Sequence, residues 1–480
     1  MSIRKYTAIN VAGAVAPMAV MLITVPLYLR VLGEARYGVL ALVWLALGYF
    51  AFLDLGLSKA TANQVARARE APATTRAEIF WTALTLNAGI GLLSAAILWQ
   101  IGDYLLRHAL QMPDEFRTEL LAALPWMIAA IPVALVSSVL IGALEGRNRF
   151  LEVNALQVAS NIAFQIIPLI VAFRIGPSLA VVIPAAVVSR AVMIGLFLIA
   201  CYFLVPLSGI PAVSFGRLKS LLSYGGWIAV SSIVVPLVDT VERFIIGAIA
   251  GATAVTHYTI PIQLVSKLKV LPGALSRALF PRFSAESSEE AGGLASRSIL
   301  ALSVGMTLIV IVAMISLRPF LTLWVGDDIA KVSAPLGELL LVGIWFNSVA
   351  HVPYFLLQAQ ARPDFVAKLH AAELPVYVLS VWLAVEWAGL WGVALVWVVR
   401  CILEAVILLA KSHVLAPSVR LLILQAAVVC VTAIILGWFG EAGSTLRLSI
   451  AALLLLPTAW LSNRLLKIKP LSQTPHWGHK

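Results

Sequence analysis

Charge is what this sequence has least of. Asp, Glu, Lys and Arg make up 12% of its 480 residues, against about 25% in soluble domains. That shortfall excludes a water-soluble globular protein. Cysteine is scarce too. Cys201, Cys401 and Cys430 all fall in apolar stretches and predict no disulfide framework. No Gly-x-x-x-x-Gly-Lys-Ser/Thr loop occurs, so ATP hydrolysis is not intrinsic. His-Glu-x-x-His, Cys-x-x-Cys and Gly-x-Ser-x-Gly are also missing, which leaves metal and covalent catalysis without support. The chain reads as a non-enzyme that needs no cofactor. Acidic residues number 23 against 34 basic ones, a net charge of +11. The basic excess sits in short loops and is not a nucleic-acid footprint.

What is present is apolar length. Hydrophobic residues make up 61% of the chain, and mean hydropathy is +0.97. A spanning helix takes about 20 apolar residues. The expected spans are 8–29, 38–58, 79–101, 119–143, 153–173, 179–205, 222–249, 253–276, 295–317, 334–358, 368–387, 389–410, 418–438 and 446–464. The fold class is therefore all-α and polytopic, with about 14 transmembrane helices. The runs are too long and too continuously apolar for the alternating strands of a barrel. The N-terminus (Arg4, Lys5, then an apolar run past Pro26) is too long for a signal-peptide core and reads as the first span. The longest loops, 58–78, 102–118 and 277–294, are too short for a globular domain.

Loop charge sets the orientation. Lys59, Arg67, Arg69 and Arg76, then Arg147 and Arg149, Arg217 and Lys219, and Arg277, Arg282 and Arg297 share a side with Arg4, Lys5 and the basic C-terminus. The 103–119 loop on the other side holds Asp103, Asp114, Glu115 and Glu119 against Arg107 and Arg117. Both termini are predicted to be cytoplasmic.

A faint internal repeat runs through the chain. Arg147-Asn148-Arg149-Phe150 resembles Arg362-Pro363-Asp364-Phe365, and Gly176 to Arg190 resembles Gly389 to Arg400, at a steady offset. An even number of spans separates the equivalents, which predicts a parallel repeat about an axis along the membrane normal. The expected organisation is an N-terminal six-helix lobe over 1–210, a C-terminal one over 211–415, and two further helices with a cytoplasmic tail over 416–480.

The stretch 224–281 stands out. Two apolar spans, joined by Gly251-Ala252-Thr253, carry Asp239, Glu242, Arg243, Lys267 and Lys269. A charge near a span's centre costs about 2.5–3.5 kcal/mol on insertion scales, so these five are expected to face water or one another.

Several motifs resemble a known family. They are Asn10, Pro17, the run Val25 to Gly33, Tyr37-Gly38-Val39-Leu40 and Leu53 to Leu57. Further on come Tyr224-Gly225-Gly226-Trp227, Asp239 to Gly247 and Leu279-Phe280-Pro281. Together they resemble the polysaccharide-biosynthesis, Wzx-like lipid-linked oligosaccharide flippases of the MOP superfamily. The resemblance implies two six-helix lobes around a central cavity, two extra C-terminal helices, and alternating access. It implies a polyprenyl-pyrophosphate-linked oligosaccharide moved from the cytoplasmic to the periplasmic leaflet of a bacterial inner membrane, for O-antigen, capsule or exopolysaccharide. Implied partners are that substrate, membrane lipids, and the polymerase and glycosyltransferases of the same pathway.

Arg190 and Arg400 occupy matching repeat positions, each roughly 18 Å into its span at 1.5 Å per residue. With Arg243, Lys267 and Lys269 they are the candidate cations for a pyrophosphate, since a guanidinium grips phosphate oxygens in a fork. Local pairing is the rival role: Arg400 with Glu404, Arg243 with Asp239. Lys267 and Lys269 lie about 200° apart on a helix and cannot share one cavity. Asn154, Gln157, Asn161 and Gln165 form one helical stripe, either for helix–helix hydrogen bonds or for sugar contacts. Asp54, Asp239, Glu242 and Glu404 are candidates for coupling or gating, with a helix-end packing role as the alternative for Asp54. Glu338, Glu373 and His351 are protonatable groups in or near spans. The rival function is a cation-coupled multidrug exporter, which predicts an acidic cavity instead.

Overall fold

The computed structural model describes residues 3–49, 53–54, 56–68, 70–109, 113–205, 237–238, 240–360, 362–414 and 419–438. Side chains are described from Pro17's neighbour Ala16 onward. Among the described residues every regular element is helical, and nine helices are long and apolar enough to cross a membrane. The expected spans 222–249 and 446–464 lie mostly or wholly outside the described residues, as do Asp239, Tyr224 to Trp227 and Arg217. The chain divides into two compact units, Met1–Thr256 and His257–Lys480.

In the first unit, α1 (Ile3–Tyr49) is two helical arms broken at Gly33, whose φ is 76°. Only a residue without Cβ takes that angle at no steric cost. After a turn at Gly56 comes α2 (Leu57–Arg67), then α3 (Ala73–Tyr104), which ends in a π-helical turn, α4 (Asp114–Gly146), α5 (Phe150–Arg174) and α6 (Leu179–Leu204). The 58–78 stretch is thus not a plain loop. Leu57, Ala60, Thr61 and Val65 recur at helical spacing and are buried, which makes α2 amphipathic. Its backbone lies directly on α4. A Cβ at Gly142 would meet the Ser58 carbonyl, and one at Gly146 would stand 2.7 Å from the Ala62 carbonyl oxygen. Gly146→Val is therefore expected to destabilise the protein by about 1–3 kcal/mol through overpacking. A thermal melt in detergent would read this as a lower midpoint; an unchanged midpoint would mean α2 docks some other way.

Short α7 (Val241–Ile249) and the start of α8 (Gly251–Ser266) complete this unit. The turn between them falls at Ala250 and Gly251 (φ 84°). Gly38 on the second arm of α1 lies against the Ala252 carbonyl, and Thr256 Oγ1 donates to the Glu34 carbonyl at 2.6 Å. Arg36 pairs with Glu115 and, at 3.0 Å, with Glu119. Glu119 Oε2 also accepts from the Leu179 amide at 2.8 Å. A carboxylate suits the positive end of a helix, so Glu119 fixes the start of α6.

The second unit continues α8 into a 3-10 turn at Lys267–Lys269 and then α9 (Val270–Ala285). Next come α10 (Ser288–Val325), α11 (Asp327–Ala359), α12 (Pro363–Ser412) and α13 (Val419–Trp438). The 277–294 stretch, expected as a loop, is helical on both sides of a short link at Glu286 and Ser287. The Ser287–Glu290 capping box starts α10 there. α12 is a hairpin of two arms broken at Gly389 (φ 57°). Its buried Trp397 packs against Gly343 of α11, and Trp345 Nε1 donates to Thr307 Oγ1 at 2.8 Å. The three cysteines are all free, Cys201 and Cys401 in the interior.

Candidate functional site

The first unit holds an open cavity of about 400 Å³ between α4, α5 and α6. Each wall is a helix face. α5 supplies Gln157, Ser160 and Asn161; α6 supplies Arg190, Met193, Ile194 and Phe197; α4 supplies Ser137 and Ser138. Spacings of three and four put these side chains on common faces. The cavity thus combines hydroxyls, two amides and one guanidinium. Amides and hydroxyls both donate and accept, the chemistry that meets sugar hydroxyls.

Arg190 is half-buried, with its guanidinium carbon 4.3 Å from the centre of the Phe164 ring. Such a contact contributes about 0.5–2 kcal/mol. Phe164 in turn packs on Trp44, and Trp44 on Tyr28, so an aromatic chain from α1 holds the charge in place. Among the described residues no carboxylate lies within ion-pair distance of Arg190. Its donors are therefore available to an anion.

Asp54 stands behind this cavity. Its buried carboxylate accepts from the Ser58 amide at 2.9 Å, from Asn87 Nδ2 at 3.0 Å and from Ser138 Oγ at 2.6 Å. It thereby starts α2, ties in α3 and orients a cavity serine. The amide stripe on α5 divides. Gln157 and Asn161 line the cavity, while Gln165 meets α1 through Thr24 Oγ1 at 2.9 Å and Tyr28 Oη at 2.7 Å. Asn154 is not part of the lining.

Arg400 has a different setting. It sits 6% exposed on the second arm of α12, with Nη1 3.7 Å from Glu373 Oε1 and 3.6 Å from Glu404 Oε2. Tyr377 lies under its guanidinium at 5.2 Å. Glu404 Oε1 is 3.2 Å from His370 Nε2. Glu373, Tyr377, Arg400 and Glu404 form the floor of an open groove of about 440 Å³ between the two arms, walled by Val376, Leu395, Val399 and Leu403, and His370 lies outside that lining. The two repeat-related arginines therefore differ. One rests on an aromatic ring in a cavity of mixed polar and apolar lining; the other is held by carboxylates beneath an apolar groove. His370 is absent from the sequence reading, although Glu373 one turn on and Glu404 across the Gly389 break mark its place. His351, singled out instead, bonds the Asn347 carbonyl of its own helix at 2.8 Å.

The remaining charges lie outside both cavities. Arg243 Nε is 3.8 Å from Oε1 of the fully buried Glu242. Lys267 is exposed and Lys269 half-buried, with Lys269 Nζ 5.9 Å from the Trp397 ring, so the two point to different surroundings. Among the described residues no cluster of His, Cys, Asp and Glu is arranged to hold a metal.

Residues 3–287 match the family described as "Polysaccharide biosynthesis protein". A Shigella flexneri protein named "Putative O-antigen transporter" is 26% identical over 412 residues, which is 85% of this chain and 97% of that protein. Among solved structures, the lipid II flippase MurJ in an inward closed conformation is similar with a TM-score of 0.70 at 11% identity, over 96% of this chain and 99% of that one. An inward-facing multidrug resistance MATE family transporter of the MOP superfamily scores 0.68 at 15% identity, over 83% and 97%. At such low identity the two structures speak for the fold. The family match spans more than half of the sequence, and the chain belongs to the polysaccharide biosynthesis protein family, with the fold of the MOP-superfamily transporters.

Proposed function

We propose that this protein is a flippase for a polyprenyl-pyrophosphate-linked oligosaccharide. It carries the headgroup from the cytoplasmic to the periplasmic leaflet of a bacterial inner membrane, by alternating access, during assembly of an envelope polysaccharide. Both termini lie in the cytoplasm, and the polymerase and glycosyltransferases of the pathway are its functional partners. The observation that carries this reading is the Arg190 cavity, where one guanidinium, three serines and two amides stand among apolar side chains. That is the complement of an anionic, hydroxyl-rich headgroup. A cationic drug would be repelled there. The Shigella flexneri relative, named for O-antigen transport, supports the same reading.

In this reading Arg190, Gln157 and Asn161 contact the headgroup. Arg243, Lys267, Lys269, Arg400 and Asn154 add contacts along its course, and Asp54, Asp239, Glu242 and Glu404 serve gating or coupling. The test is direct. Purified protein goes into liposomes with a polyprenyl-pyrophosphate oligosaccharide on one leaflet, and an external lectin reports sugar arriving on the other. Protein-dependent arrival is expected. Export of a cationic dye without glycan movement would move the assignment to the multidrug branch. Undiminished delivery after replacing Arg190, Arg243 and Arg400 together would end the cationic mechanism.

A further inference from the structure

Ser138 has more acceptors around its hydroxyl than it has hydrogens to give them. Its Oγ lies 2.6 Å from Asp54 Oδ1 and 2.8 Å from the Leu135 carbonyl oxygen of its own helix. A serine carries one hydrogen and two lone pairs. The Leu135 carbonyl can only accept. So can the Asp54 carboxylate, which also takes hydrogens from Asn87 Nδ2 and the Ser58 amide. The distance to Asp54 is that of an O–H···O bond to an ionised acceptor. The serine hydrogen is therefore committed inside the protein. A mid-helix serine often bonds a carbonyl one turn back, and the Leu135 contact alone would be no more than that. The Asp54 contact is different, because it comes from outside the helix and fixes an oxygen that lines the cavity.

Toward the cavity Ser138 thus presents lone pairs and no hydrogen. Arg190, in the same lining, is the reverse: a guanidinium donates and never accepts. One fixed donor and one fixed acceptor give the cavity a hydrogen-bonding direction.

We propose that Ser138 is a specificity-determining acceptor of this cavity. It receives a hydrogen bond from a sugar hydroxyl, while Arg190 holds the anionic group of the same ligand. Gln157 and Asn161, which can donate or accept, adapt to the remaining groups. The ligand class is a sugar phosphate with a hydroxyl that donates at Ser138. A group that only accepts is turned away there, since lone pairs would face lone pairs. A group that makes no hydrogen bond leaves the serine oxygen unpaired. The bearing of this contact on transport rests on the flippase reading above; the polarity of Ser138 rests on its own hydrogen bonds.

The test measures binding to the full chain in lipid nanodiscs. The probes are glucosyl phosphate and galactosyl phosphate, each with a deoxy and a deoxyfluoro analogue for every sugar hydroxyl. Fluorine accepts weakly and cannot donate; hydrogen does neither. At one hydroxyl or more, the deoxy analogue is expected to bind about 2- to 10-fold more weakly than the parent. The fluoro analogue is expected to bind no better than the deoxy one. Ser138→Ala is expected to bring all three to the same affinity at that hydroxyl. Should this variant fold poorly, Ser138→Cys, of similar shape and a weaker acceptor, gives the same direction. Arg190→Ala is expected to weaken every probe alike. Fluoro analogues that outbind the deoxy ones at every sensitive hydroxyl would mean that the cavity donates there, and would overturn the proposal. So would a hydroxyl preference that survives undiminished in the Ser138 variants, affinities indifferent to deoxygenation, or no saturable binding of any probe. Glycan arrival in liposomes beside any of those results would leave the flippase reading standing and remove the Ser138 contact. The expected probe pattern without glycan movement would do the reverse.

Discussion

Arg190→Ala is expected to lower glycan delivery by about 10- to 100-fold while leaving membrane insertion intact. A hydrogen bond to a charged group contributes about 1.5–3 kcal/mol, and each 1.4 kcal/mol is a factor of about ten. Loss should fall near the upper figure, because Arg190 is the sole cation lining its cavity among the described residues. Arg190→Lys separates charge from shape. Lysine keeps a positive point charge but loses the planar fork and the stacking on Phe164. Its expected deficit is about tenfold. The liposome lectin assay at sub-saturating substrate reads both. Equal deficits for the two variants would show that the guanidinium plane, not its charge alone, does the recognition. Wild-type rates for Arg190→Ala would remove the cavity from the transport path.

The second large effect is on stability. Asp54→Ala removes the acceptor of the Ser58 amide and the Asn87 amide group, while the Ser138 hydroxyl retains the Leu135 carbonyl at 2.8 Å. Each bond to a buried carboxylate is worth about 1.5–3 kcal/mol, and unpaired buried donors add their own cost. The three are coupled, so the sum is not additive; a loss of about 3–5 kcal/mol is expected. Asp54→Asn should be milder, since its oxygen can still accept from Ser138 and Asn87. Thermal stability in detergent distinguishes the two. Alanine melting no lower than asparagine would place the anchor of α2 elsewhere.

Much of this architecture is legible in the sequence because apolar length is a strong signal. Most expected spans coincide with helices, their ends moved by several residues. What hid was chiefly the meaning of polar interruptions. Lys59, Arg67 and Arg76 made 58–78 look like a charged loop, yet Leu57, Ala60, Thr61 and Val65 carry helical spacing between them. The stripe on α5 was visible as spacing, but spacing cannot say that Gln165 turns to α1 while Gln157 and Asn161 meet the cavity. Arg190 and Arg400 were found as repeat equivalents. Their divergence depends on Phe164 in one case and Glu373 in the other, contacts that only packing creates. The serines of α4 gave no sequence signal, because Ser137 and Ser138 gain meaning only from the arginine across the cavity.

The backbone-to-backbone seams have a consequence for how the molecule meets its surroundings. Gly38 against the Ala252 carbonyl, and Gly142 and Gly146 against Ser58 and Ala62, bring helix backbones into direct contact at the glycines themselves. Contacts of this kind rest on close approach and weak Cα–H···O attraction. They are indifferent to acidity and to ionic strength. In a membrane protein exposed to different conditions on its two sides, these seams are the part of the frame that stays constant. Sensitivity then belongs to the ionised groups of the described residues, Asp54, Arg190 and the Arg400 cluster among them.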